Sequence, residues 1–152
     1  MSTTRIDYDL VVQELSKGMW ETDSEQVACF AQDLPTTLLE FRTLRLGAGR
    51  QRGSQQWVVE KFGENPGHTL ILSPHIDMNT DIHVAIIDAF GLEKRKTGMM
   101  LGNDVPDHMR LFKFNRVYIL DAGIYFSKFK LSKVYEHLAT CTTDDVIIYH
   151  LN

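Results

Sequence analysis

Residues Arg42 to Phe62 read RTLRLGAGRQRGSQQWVVEKF, and the fold turns on how that stretch is parsed. "TLRLG" alternates in the manner of a strand, a glycine-containing loop follows, and "QQWVVEKFG" carries helical spacing with Trp57, Val58 and Phe62 inward and Gly63 as its stop. The turn "ENPG" then leads into "HTLILSP", a short continuous apolar run of the kind that parallel strands buried on both faces display. Together these segments predict a strand, loop, helix, strand unit.

Working outward, "DYDLVVQELSKGMW" sets Tyr8, Val11, Val12 and Leu15 on one helical face and stops at Gly18. "TDSEQVACFAQDLP" offers Thr22 with Glu25 as a capping box, then Val27, Phe30, Ala31 and Leu34 as an apolar stripe closed by Pro35. Two short helices are therefore expected before the first strand. Downstream, "TDIHVAIIDAFGL" puts Ile82, Ala85, Ile86, Ala89 and Phe90 on one face behind Thr80 or Asp81 as cap. "EKRKTGMMLGNDVPDHMRLF" is charged and punctuated by glycine and proline, which predicts an irregular excursion with one short strand. "RVYILDAG" reads as a buried strand ending at Asp121. "SKFKLSKVYEHLATC" reads as a helix capped by Ser127 with Leu131, Val134, Tyr135 and Leu138 inward, and "DVIIYHL" as a last strand. The alternation predicts an α/β fold: a mostly parallel sheet of about four or five strands with flanking helices. One domain is expected, with N-terminal helices over 1–37 and an α/β core over 38–152.

Composition narrows the function classes. A chain of 152 residues can bury roughly 68 to 70% of its unfolded surface, enough for a core without staples. Cys29 and Cys141 fit neither a metal spacing nor a disulfide framework, and no apolar signal segment opens the chain, so a reduced, cytoplasmic protein is expected. No apolar run reaches the roughly 18 residues of a membrane span, so no membrane partner is expected. The net charge of -4 argues against a general nucleic-acid coat, although the "EKRK" run leaves a local basic contact open.

The loop itself has the layout of a phosphate-gripping turn: a small residue, four others, then Gly-Lys and a hydroxyl residue. Its backbone N–H groups cradle phosphates, its lysine reaches the outer ones and its hydroxyl binds magnesium. Ala48, Gly49, Arg50, Gln51, Arg52 and Gly53 fill the first six places, Ser54 stands at the lysine position and Gln55 at the hydroxyl position. "GAGRQ" running into Gly53 after a strand resembles the Walker A segment of phage large-terminase and helicase-type ATPases. "VYILDAG", Val117 to Gly123, is similar to their Walker B strand, with Asp121 at the magnesium-side aspartate and Ala122 where the catalytic glutamate stands. The resemblance covers roughly Leu44 to the end and implies a P-loop NTPase-like core with ATP and magnesium as ligands.

The departures imply a pseudoenzyme. A charge-assisted hydrogen bond is worth about 1.5 to 3 kcal/mol, so without the lysine triphosphate binding weakens by one to two orders of magnitude. Arg50 or Arg52 can restore charge, which would give a weak ATPase as the alternative, but Ala122 cannot orient water. Relatives of this kind continue into a coupling segment and a nuclease or second motor lobe, whereas the sequence closes on "IIYHLN"; it is not expected to be a complete motor. The resemblance thus implies a phage-encoded protein that works in packaging, replication or assembly by binding a protein partner or an active paralogue. A plain structural virion component is the third reading. A separate set, His75, Asp77, Asp81 and His83, offers imidazole and carboxylate ligands for a divalent metal within nine residues, in a spacing that matches no specific motif. The other histidines, His150 among them, are expected on the surface or on helix faces.

Overall fold

A computed structural model of the chain describes residues 6–30, 32–46, 54–73, 76–91, 99–101, 113–120 and 131–151. In chain order the elements are α1 (Tyr8–Leu15), α2 (Glu25–Ala28), α3 (Leu34–Phe41), β1 (Thr43–Leu46), α4 (Ser54–Glu64), β2 (Thr69–Ser73), α5 (Ile76–Phe90), β3 (Met99–Leu101), β4 (Phe114–Leu120), α6 (Leu131–Cys141) and β5 (Thr142–Leu151). The strands form one sheet in the order β1-β5-β4-β2-β3, and every pairing is parallel.

Alternation along the strands divides the core between the two faces of the sheet. Leu70, Leu72, Val117, Ile119 and Ile148 face Leu38 of α3 and Val134, Tyr135 and Leu138 of α6. Ile71, Tyr118, Leu120, Leu44 and Leu46 face the other way, toward Tyr8 of α1, Trp57, Val58 and Phe62 of α4, and Ile82 and Ile86 of α5. The result is three layers, helix on sheet on helix. The crossovers from β1 to β2 and from β2 to β3 run toward the β3 edge with their helices on one face. The crossover from β4 to β5 runs back with α6 on the opposite face. Reversing both direction and face keeps the hand of all three the same, as the twist of a parallel sheet requires.

The N-terminal third departs from expectation. Thr22 does not open a capping box. Its N–H and hydroxyl turn to Asp144, and Ser24 caps the four-residue α2 by accepting the N–H of Val27 at 3.3 Å. Pro35 does not close a helix but sits in the first turn of one. Asp33 accepts the Thr36 N–H at 2.8 Å, and a proline costs nothing where the N–H has no helical partner. Three helices precede β1 rather than two, and α3 runs across position 38 with Leu38 in the core. Phe30 and Leu34, expected inward, are exposed, as are Leu15 and Ala89.

Two further boundaries move. α4 passes through Gly63 and ends at Glu64, and the ring of Phe90 from α5 lies so close to Gly63 that a Cβ there would overlap it. Here glycine serves packing rather than termination. α5 begins at Ile76, which places Thr80 and Asp81 inside the helix instead of at its cap. It ends at Phe90: the Gly91 N–H still donates to the Ile87 carbonyl at 2.9 Å, and the φ of +91° at Gly91 then turns the chain out of the helix. The short strand expected in the charged excursion is β3, while 92–98 and 102–112 lie outside the described residues.

Candidate functional site

Parallel pairing lines up the ends of the strands. Leu46 lies opposite Leu151, Leu151 opposite Leu120, and Ser73 opposite Leu101, with Leu72 beside Ile119. The segments that follow β1, β2 and β4 in the chain therefore all start from one edge of the sheet. Neighbouring strands are spaced about 4.8 Å apart, so the ends of β1 and β4 stand roughly 10 Å from one another across β5. The crossovers leave β2 and β4 in opposite directions, and an open α/β sheet forms its ligand crevice where such a reversal occurs, outside the carboxyl ends of the strands.

Of the candidate phosphate-binding residues, Gly49, Arg50, Gln51, Arg52 and Gly53 lie outside the described residues, as do Asp121 and Ala122. Ser54 opens α4 and Gln55 is exposed in its first turn. Of the alternative metal set, His75 lies outside the described residues and Asp77 lies near the start of α5. Asp81 is exposed and His83 half-buried; two positions apart on a helix, they point to sides about 200° apart. Among the described residues no three His, Cys, Asp or Glu side chains converge on a point where an ion could sit. Cys29 is exposed and Cys141 buried, both as free thiols.

Beneath the carboxyl edge lies an aromatic layer. Trp57, one turn into α4, stacks on Tyr8 at 5.3 Å and meets Tyr118 and Tyr149 edge-on at 5.4 and 5.6 Å. Tyr118 and Tyr149 stack on each other across β4 and β5 at 4.8 Å. The indole N–H donates to the Asp9 carboxylate at 3.0 Å, which also pairs with Lys61 at 2.6 Å. Sheet, α1 and α4 are thereby locked together just where the glycine loop gives way to helix. A shallow recess of about 300 Å³ beside this layer is bordered by Asp7 and Asp9, whose carboxylates already cap α1 and hold Trp57.

At the opposite, amino edge a cation that no residue pattern announces is buried: Arg42 is 4% exposed. Its guanidinium donates to the carbonyls of Val146 at 2.7 Å, Trp20 at 2.9 Å and Asp145 at 2.9 Å, and burial pulls its pKa below the ordinary value. His150, expected on the surface, is buried in β5 because that strand lies inside the sheet between β1 and β4.

Buried phenols give the fold an alkaline limit. Burial pushes Tyr135, 2.7 Å from the Thr43 hydroxyl, up to about 12, and raises Tyr118 and Tyr149 for the same reason. An unfolded tyrosine titrates near its ordinary value of 10.0, so above that pH the unfolded chain releases protons that the folded chain retains. Stability from these groups is complete below pH 10 and drains away as pH rises through about 12. Urea midpoints measured across that window should fall steadily; a flat profile would contradict the burial of the three rings.

Compared with models of protein families the chain matches none, and it matches no curated protein.

Proposed function

We propose that this protein is a P-loop-like domain without efficient hydrolysis, whose sheet edge grips nucleotide phosphates weakly and which acts by binding a protein partner. One observation carries the reading: β1 and β4 run parallel, one strand apart, and end in a single rank. That arrangement supports delivery of the glycine loop and of Asp121 to the same crevice, where backbone N–H groups can meet phosphate oxygens and a carboxylate can meet magnesium. The rigid aromatic layer below supports a preorganised start to α4. Ser54, Gln55 and Ala122 stand where lysine, hydroxyl and glutamate would complete the chemistry, so binding outlives turnover in this reading. The resemblance to phage ATPases makes a packaging, replication or assembly component, or an active paralogue, the partner class.

Thermal unfolding with and without magnesium and a non-hydrolysable ATP analogue tests this, on the natural protein and on Ser54→Lys. A ligand present at a hundredfold its dissociation constant adds about 2.7 kcal/mol. For a domain of this size that is a rise of roughly 5 to 10 °C. Ser54→Lys is expected to show such a rise, and the natural protein a smaller one at the same concentration. No rise in either protein would sink the phosphate-loop reading. Turnover by the natural protein on the order of 1 per second or faster would instead favour an ATPase using Arg50 or Arg52.

A further inference from the structure

Trp20, Phe30 and Phe41 come from three separate stretches of the N-terminal third and meet at the surface. Trp20 lies 6.4 Å from Phe30 and 5.9 Å from Phe41, and the two phenylalanine rings are 5.0 Å apart. Trp20 is 42% exposed and Phe30 52% exposed. Single exposed apolar residues are ordinary, but a cluster of aromatic rings left open to water marks an interaction surface. The cluster is also held in place from below. Arg42 takes the carbonyl of Trp20, Thr22 is tied to Asp144, and Ser24 and Asp33 cap the helices that carry or lead to the two phenylalanines. These ties run to the starts of β1 and β5, so the patch sits at the amino edge, away from the carboxyl ends of the strands.

Charge then selects what can cover it. Between Met19 and Phe41 the chain has Glu21, Asp23, Glu25, Asp33 and Glu40 and no lysine, arginine or histidine. All five carboxylates are exposed, and Asp144, bonded to Thr22, adds a sixth. Of the cations that flank this stretch in sequence, Lys17 is paired with Glu14 at 2.9 Å and Arg42 is turned inward onto carbonyls; Arg116 of β4, half-buried, donates to the Asp145 carbonyl at 3.5 Å, which leaves six carboxylates against one partly exposed guanidinium at this edge. Carboxylates on the segments that bear the three rings make this surface acidic, and it therefore repels nucleic acid. It fits guanidinium groups, which stack on ring faces and donate to carboxylates around them.

We propose that the Trp20, Phe30 and Phe41 patch is a docking surface for an arginine-rich segment of a partner protein. It stands independently of any nucleotide at the other edge. Calorimetric titration with an amidated octa-arginine peptide tests it on the full chain. The peptide is expected to bind the natural protein, and Trp20→Ala and Phe30→Ala are each expected to weaken it by about fivefold or more, the range of a partly desolvated cation–π contact. Asp23→Asn with Glu25→Gln should weaken it as well, while Asp88→Asn with Glu136→Gln, exposed carboxylates on α5 and α6, should leave affinity unchanged. Circular dichroism of each variant establishes that it is folded, and the two charge pairs remain informative if an aromatic variant is not. Three results would overturn the proposal: no binding at millimolar peptide, equal weakening by both charge pairs, or a peptide-free dimer that Phe30→Ala abolishes, which would assign the patch to a second copy of the chain.

Discussion

Replacing Arg42 by alanine is expected to lower the unfolding free energy by about 3 to 5 kcal/mol, read as a fall in the urea midpoint at unchanged slope. Three carbonyls from Trp20, Asp145 and Val146 converge on one guanidinium, and a hydrogen bond to a charged group is worth about 1.5 to 3 kcal/mol where water cannot replace it. Partial entry of water at the amino edge keeps the total below the simple sum. Lysine should rescue little, since a single ammonium on a flexible stem cannot reproduce a planar fork aimed at carbonyls on two segments. A loss under about 1 kcal/mol would mean that water satisfies those carbonyls and that the latch is incidental.

The second large effect is expected at Trp57. It is 2% exposed, touches three other rings and donates to Asp9, so Trp57→Ala should cost about 3 to 5 kcal/mol through the cavity it leaves. Trp57→Phe keeps a ring against Tyr118 and Tyr149 but drops the indole donor, and should cost clearly less. The comparison separates packing from the polar tie to α1. Because Trp57 lies three residues after Ser54, the alanine variant should also reduce any stabilisation by nucleotide. If it unfolds at the same urea concentration as the natural protein, the aromatic layer does not hold the carboxyl edge together.

Elements whose signal is local could be read from sequence. β1, β2, β4 and β5 show apolar runs or alternation, and α4 and α6 repeat their apolar residues every three or four positions, so type and approximate place follow from periodicity. Boundaries set by another element did not follow. Gly63 looks like a helix stop until α5 brings Phe90 against it, and Pro35 looks like an ending until Asp33 is seen to cap the turn that contains it. The order of the strands was equally hidden, because the pairing of Thr43 with Ile148 joins residues about a hundred positions apart. For the proposed site, the glycine loop and Asp121 stand out as sequence patterns that lie outside the described residues, and the structure adds that the strands preceding them end at one edge of a parallel sheet. Arg42 was not legible at all. Its partners are main-chain carbonyls, which every residue possesses and no spacing betrays.

The position of β5 has a consequence for how the chain is made. Among the described residues β1 has no strand beside it except β5, and β4 leans on β5 for one whole flank. During synthesis the ribosome releases Thr43–Leu46 long before Thr142–Leu151. Until the later segment emerges, β2, β3 and β4 can associate while β1 waits with open hydrogen-bonding edges on both sides. The sheet is thus complete only when β5 joins β1 to the rest, so its closing step is the pairing of residues far apart in the chain, the kind of contact that costs most loop-closure entropy.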